Sequence, residues 1–282
     1  MSRRTDNRHR VATICREATG LAHHTCMRWA AEGLITRALP VPDAESPAQR
    51  AFEARVVVAL AAALSYEQED GVLLGVTVAR PTAAGLGIEL HPDMSHRVFD
   101  ALVPRFDPAT GVLVGVPGLR RGHRGDGGLH VWCAAGGGAV RFLPSAPAWQ
   151  RPTSGSGLIA LGRADAPLHR AERARLDGWA RGPAERDRLL SRLLRRPRLL
   201  NTAGAGHGWA NTHSHHDEDL VIEWCCGPQA GDLAQQLRRS GLAAPPVPPD
   251  TLTLTRPEPG VVSLGSVRVT LRSLRWPGCA AC

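Results

Sequence analysis

The feature that most limits the fold is a pattern of elements that occurs twice: two β-rich runs, a helical stretch, and two further β-rich runs. In the first half the β-rich runs are 72–80, 85–91, 111–119 and 129–134, with a helix expected at 93–103. In the second half they are 209–213, 220–225, 251–255 and 261–276, with a helix at 229–240. Strands and helices in this order predict an α+β fold containing two hairpin-helix-hairpin (ββαββ) units.

Short sequence similarities favour a duplication. Ile88-Glu89-Leu90 leads into the first of these helices and Ile222-Glu223-Trp224 into the second, while residues 129–132 and 267–271 occupy matching places downstream. Chance is the alternative, since short amphipathic patterns imitate one another. If the duplication is real, the interface between the two units is a candidate site for a ligand or partner.

Segments rich in proline, glycine and serine divide the chain. Residues 40–47 form a connector, after which Ser46 is suited to cap a helix and Pro47 to begin it. Residues 144–157 have the composition of a linker. We therefore expect a small N-terminal helical pair at 1–40, a first α+β unit at 41–150, and a second at 151–282 with arginine-rich helices.

The chain contains no lysine, so all 34 of its basic residues are arginine. A P-loop and a protein-kinase ATP site each need a lysine at the phosphates, and pyridoxal enzymes need one for the Schiff base. These three classes are excluded, and the sequence predicts no cofactor and no catalytic residues.

Positive charge is concentrated in two regions of a chain whose net charge is +8. Residues 163–198 hold eleven arginines and five acids, and residues 1–55 hold nine arginines and six acids. Within the first region we expect a secondary basic surface formed by Arg188, Arg192, Arg195 and Arg196. Such a surface favours a polyanionic partner, although a solvated helix face with ion-pair partners has the same composition.

Residues 13–37 predict two helices joined by a tight turn at Gly20 and ended by Gly33. In this arrangement Leu21, Cys26 and Trp29 point inward. The exposed side of the second helix and the N-terminal arm would then present the candidate DNA-contacting residues, which are Arg3, Arg4, His23, His24, Met27 and Arg28.

The spacing over residues 18–35 resembles the helix-turn-helix of MerR-type regulators. ATGL at 18–21 matches the turn, Thr25-Cys-Met-Arg-Trp29 the start of the recognition helix, and Glu32-Gly-Leu-Ile35 its end. The resemblance implies double-stranded DNA as the partner. Ala22 stands where a capping serine is usual, and Pro40 and Pro42 stand where that family has its wing. The alternative is a helical hairpin that only packs against the next helix.

Histidines and cysteines suggest two weaker metal hypotheses. His213, His215, His216 and Asp217 have ligand spacing, and a metal-dependent hydrolase could be built around them. A polar hairpin turn is the competing interpretation. Cys225 and Cys226 could combine with Cys279 and Cys282 in a four-thiolate zinc site.

The N-terminus has no apolar segment typical of an export signal, and the longest apolar run, 56–64, is too short to span a bilayer. We expect a cytoplasmic protein with no membrane association. The preferred function is that of a non-enzymatic DNA-binding accessory or regulatory protein, for which a homodimer or another protein partner is also a hypothesis. A protein-interaction scaffold with no nucleic-acid role is the main alternative.

Overall fold

A computed structural model describes residues 3–64, 72–123, 128–143, 157–204, 210–215, 219–242 and 260–273. The fold is mixed α and β, as the sequence predicts. Two N-terminal helices precede two strand-rich units. The strand expected at 251–255 lies outside the described residues.

The helices are α1 (Arg3–Thr19), α2 (His23–Glu32), α3 (Pro47–Ala63), α4 (Ser95–Leu102), α5 (Arg170–Ala180), α6 (Ala184–Leu194), α7 (Pro197–Gly204) and α8 (Ala230–Arg239). The start of α3 confirms the expected cap, because the Ser46 hydroxyl accepts the backbone N–H of Gln49 and Pro47 occupies the first turn. None of the helices in the described ranges is long and apolar enough to cross a membrane.

The strands are β1 (Val76–Pro81), β2 (Leu86–Leu90), β3 (Arg105–Phe106), β4 (Leu113–Val114), β5 (Leu119–His123), β6 (Leu129–Cys133), β7 (Ala139–Phe142), β8 (Ile159–Ala160), β9 (Ala210–His215), β10 (Asp219–Trp224), β11 (Gly260–Leu264) and β12 (Val267–Ser273). They form a five-stranded sheet of order β1-β2-β7-β6-β5, a four-stranded sheet of order β11-β12-β10-β9, and a small three-stranded sheet of order β4-β3-β8.

Four strands of the five-stranded sheet have the same topology as the four-stranded sheet, and β5 is an additional strand at the edge of the first. In each, an antiparallel hairpin is followed by a helix and a second hairpin, and the inner strands of the two hairpins run parallel: β2 with β7, and β10 with β12. The helix covers its own unit in both cases. The Phe99 ring of α4 meets Phe142 of β7 at 5.6 Å, and α8 packs on β11 and β12. The ββαββ arrangement therefore occurs twice.

The topology corrects the match expected between individual strands. Residues 129–132 belong to β6, which lies between β7 and β5, whereas residues 267–271 belong to β12, which pairs with β10 of the first hairpin. The counterpart of β12 is β7. The sequence pattern did not predict β7, because this short strand directly follows the glycine-rich run 134–138. The strand expected at 111–119 is also corrected: β4 covers only Leu113–Val114 and lies in the small sheet, and β5 begins at Leu119 and extends to His123.

The helix that precedes each sheet joins the two units. The most extensive helix packing is that of α3 on α6, and the packing is reciprocal, since α3 also lies against β9 while α7 lies against β1. The Asn201 Nδ2 donates to the Val76 carbonyl oxygen at 2.9 Å across this junction. Both sheets and these helices share one continuous hydrophobic core.

Buried arginines seal the junction, which corrects the expected basic surface. Arg195 and Arg196 are fully buried, Arg192 is half-buried, and only Arg188 is exposed. Arg195 pairs with Glu53 of α3 through contacts of 2.6 and 2.8 Å. Its Nη1 also donates to the carbonyl oxygens of Pro42 and Thr82, both at 2.9 Å. The apolar side of α6 faces the core, and Arg195 and Arg196 are buried on the same side. The hypothesis that these two arginines form part of a basic surface is therefore wrong.

Two further arginines bind the same junction. Arg196 donates to the Ser240 carbonyl oxygen from Nε and Nη2, at 3.0 and 2.8 Å, and so holds the C-terminal end of α8. Burial lowers the pKa of Arg196 to about 9, which still leaves it charged at neutral pH. Arg192 pairs with Asp43 of the connector at 2.5 Å.

A second fully buried ion pair attaches α5 to the first sheet. Both Arg120 and Glu172 are fully buried, and two contacts of 2.9 Å join their side chains. Glu172 also accepts the backbone N–H groups of Gly118 and His169. Arg120 is therefore an interior residue.

Candidate nucleic-acid interface

The N-terminal helices form the hairpin that the sequence predicts. Gly20 adopts φ 79° between them, and Gly33 ends α2 in the left-handed conformation. A side chain at Gly20 would place Cβ 2.9 Å from the Thr77 carbonyl oxygen, so the turn sits directly on β1. Ala22 provides no side-chain cap for α2, as expected.

A small core holds α1 and α2 together. It consists of Val11, Ala12, Cys15, Leu21, Cys26 and Ile35, with Trp29 packed against it. The inward positions predicted for Leu21, Cys26 and Trp29 are therefore confirmed. Among the described elements, α2 packs extensively only on α1, so its opposite side remains open.

The open side of α2 carries part of the predicted DNA-contacting set. His24 and Arg28, one helical turn apart, are exposed. His23 is half-buried, and its ring stacks on His9 at 6.0 Å between centroids. Met27 is half-buried against the small core, at the edge of the exposed face. Arg3 and Arg4 lie in the first turn of α1 and not in an extended arm, and their side chains are outside the described part.

A polar cavity of about 950 Å³ adjoins the helix pair. It lies between α1, α7 and α8, and Gly20 and Leu21 of the inter-helix turn line it. Four exposed arginines from these three helices also line the cavity, namely Arg10, Arg16, Arg198 and Arg239. Glu17, which lies 3.9 Å from Arg16, is the single carboxylate among its lining residues.

These arginines differ from those of the interior. Arg10, Arg198 and Arg239 make no ion pair and no side-chain hydrogen bond with any residue in the described ranges. By contrast, Arg120 and Arg195 each pair with a fully buried carboxylate. Since the guanidinium groups of Arg10, Arg198 and Arg239 have no partner within the described ranges, their donors are available to an external anion.

Sequence reasoning missed this cluster because its members come from positions 10, 16, 198 and 239. The bias of residues 1–55 and 163–198 toward arginine was the available signal. It did not distinguish Arg198, which is exposed at the cavity, from Arg195 and Arg196, which are buried.

The histidine hairpin is only partly described. His213 and His215 lie on β9, at positions that share one face of the strand, and the half-buried His213 has its Nδ1 4.0 Å from a Glu223 carboxylate oxygen. His216 and Asp217 lie outside the described residues, as do Cys279 and Cys282. No group of three potential metal ligands occurs within the parts of the chain that are described.

No protein-family model matches the chain, and no similar protein is found among curated proteins or solved structures. The site must therefore be interpreted from its own geometry.

Proposed function

We propose that this protein binds double-stranded DNA in an accessory or regulatory role, through a surface made of the α1–α2 pair and the adjoining arginine cavity. The observation that carries the proposal is the convergence of Arg10, Arg16, Arg198 and Arg239 on one cavity beside the inter-helix turn. Unpaired guanidinium groups from separate helices are suited to neighbouring phosphates.

The positions of the exposed side chains assign different DNA contacts to α2 and to the arginine cavity. His24 and Arg28, on the open side of α2, are placed to contact base edges, and the cavity arginines are placed to hold the phosphate backbone. The resemblance of residues 18–35 to MerR-type regulators supports the same orientation. Without the wing of that family, the arginines of α7 and α8 supply the additional phosphate contacts.

Salt dependence tests the proposal. Binding of the full chain to a fluorescein-labelled random-sequence duplex is measured by anisotropy over a series of salt concentrations. The double variant Arg198→Gln/Arg239→Gln is compared with Arg173→Gln/Arg268→Gln, which removes two exposed arginines that do not line the cavity. Each lost phosphate contact lowers the slope of log K against log salt by about 0.9.

We therefore expect the cavity variant to lose about two units of slope while the matched control keeps the wild-type value. Equal slopes for the two double variants would refute the assignment to this cavity. An absence of duplex binding even at low salt would refute the DNA proposal and favour the protein-interaction scaffold.

A further inference from the structure

A second cavity, of about 980 Å³, lies between α3 and α5 and shares no lining residue with the arginine cavity beside the helix pair. One face of α3 forms a wall, with Arg55, Val58, Ala59, Ala62 and Ala63 at positions i, i+3, i+4, i+7 and i+8. The opposite wall comes from α5, and the segment around β4 closes one end. Most of this lining is apolar.

Arg55 is the exception in the apolar wall, and it is 8% exposed. Its Nη2 donates to the Cys133 thiol sulfur at 3.4 Å, and its Nε has no hydrogen-bond partner. No ion pair joins it to a carboxylate in the described part of the chain. Burial lowers the pKa of Arg55, although the charge of Asp187 opposes this shift.

An isolated buried cation is unfavourable, since a charge removed from water costs several kcal/mol unless a counterion compensates it. Elsewhere this chain supplies such counterions: Arg195 has Glu53, and Arg120 has Glu172. The charge of Asp187 acts on Arg55, but the Asp187 carboxylate accepts hydrogen bonds from Trp179 and Arg186 and none from Arg55. An anion bound in the cavity would supply the missing negative charge.

The charge around the cavity also favours an anion. Arg105, Arg175 and Arg181 line it in addition to Arg55 and Arg186, whereas Asp100 is the one acid among its lining residues. Asp100 is itself 3.6 Å from Arg105. The cavity thus combines apolar walls with a net positive charge.

We propose that this cavity binds a small molecule with an apolar body and a single carboxylate, and that Arg55 receives the carboxylate. The volume is that of a small-ligand pocket, and the apolar faces of α3 and α5 match an apolar body. One guanidinium balances one carboxylate in a planar, two-oxygen pairing. Arg186, the other buried arginine of the lining, already pairs with Asp187, so a phosphate monoester with close to two negative charges is less well matched than a carboxylate. This inference does not depend on DNA binding.

The test uses dansyl-undecanoic acid and its methyl ester, two fluorescent probes that differ in the carboxylate charge. Each probe is titrated with the full chain, and binding is measured from the change in probe fluorescence. A hydrogen bond to a charged group is strong enough that we expect the acid to bind at least about tenfold more tightly than the ester. Arg55→Met removes this preference, and Arg173→Met, an exposed arginine of α5 outside the cavity lining, leaves both affinities unchanged.

Ala62→Trp provides a second variant that keeps Arg55 and fills the cavity from an exposed helix position. We expect it to weaken binding of both probes at least about tenfold, because an indole occupies the space of the apolar body. Failure of the wild type to bind the acid overturns the proposal. So does equal binding of acid and ester, or undiminished binding to Ala62→Trp.

Discussion

Replacing Arg195 by methionine removes the central ion pair of the junction between the two units. Both partners are fully buried, with 0% side-chain accessibility for Arg195 and for Glu53. The substitution keeps the length of the aliphatic stem but leaves the Glu53 carboxylate with Ser191 at 2.6 Å and Gln49 at 2.7 Å as its hydrogen-bond donors. Neither donor carries a charge, so Glu53 becomes a buried anion without a counterion.

Removal of one partner from a buried pair destabilises a protein by about 3–5 kcal/mol. The carbonyl oxygens of Pro42 and Thr82 also lose their Arg195 donor. We therefore expect the free energy of unfolding to fall by about 3–5 kcal/mol. Since each kcal/mol shifts Tm by about 2–4 °C in proteins of about 150–250 residues, we expect Tm to fall by at least about 6 °C.

Urea denaturation followed by circular dichroism and tryptophan fluorescence measures the change. Arg188→Met on the same helix is the matched control, because Arg188 is exposed and its loss is expected to change stability by less than about 0.5 kcal/mol. The double variant Glu53→Leu/Arg195→Met replaces the pair by apolar side chains and is expected to recover most of the loss. If Arg195→Met were as stable as Arg188→Met, the reasoning about the junction would be refuted.

Three further predictions concern the helix pair and α5. Arg28→Glu should weaken duplex DNA binding in low salt at least about tenfold by placing a negative charge near phosphates, and an unchanged anisotropy titration would contradict the role of α2. Burial raises the pKa of Glu172, but hydrogen bonds from Arg120 and from the backbone N–H groups of His169 and Gly118 outweigh it and lower the pKa. The stabilising contribution of Glu172 is therefore present above the ordinary pKa of about 4.3 and is lost as pH falls through the lowered value in the folded state. In urea titrations at a series of pH values, the difference in free energy of unfolding between wild type and Glu172→Gln should shrink below about pH 4.3. A difference that stays constant with pH would contradict this role of Glu172. A hydrogen bond with the Cys26 thiol and burial both raise the pKa of Cys15. Iodoacetamide at about pH 8 should therefore leave Cys15 unmodified in the native protein and modify it in urea, as measured by peptide mass mapping. Rapid modification of Cys15 in the native protein would contradict the packed core of the helix pair.

Local patterns were sufficient to predict the elements whose signals lie within a few residues. The first hairpin of each unit, the α3 cap at Ser46 and the glycine turn at Gly20 follow from short segments, and the α+β class follows from the order of the elements. The second hairpin of each unit was predicted with the wrong strands, since β6 pairs with β7 and β11 with β12. Helix α7 was not predicted, because a proline such as Pro197 commonly marks the end of the helix before it. Proline is equally suited to the first turn of a new helix, which is the position it occupies.

The positions of the arginines depend on contacts that are distant in sequence. Arg195 is buried because Glu53, 142 positions away, supplies its counterion. Arg198, three residues later, faces the cavity beside α1 and α8. An amphipathic pattern alone could not separate these two outcomes, because a paired arginine can occupy the apolar side of a helix. The same reasoning applies to Arg55, whose isolation is visible only once α3, α5 and β6 are assembled.

Hydrogen exchange in the presence and absence of a random-sequence duplex tests the account of DNA binding most directly, because it locates the contact without a substitution. At low salt, we expect amides in α1, α2, α7 and the C-terminal half of α8 to exchange more slowly with DNA, since these elements carry the proposed contacts. The exposed helix α5 should be unaffected. Protection confined to α5, or no protection at saturating duplex, would contradict the proposed interface.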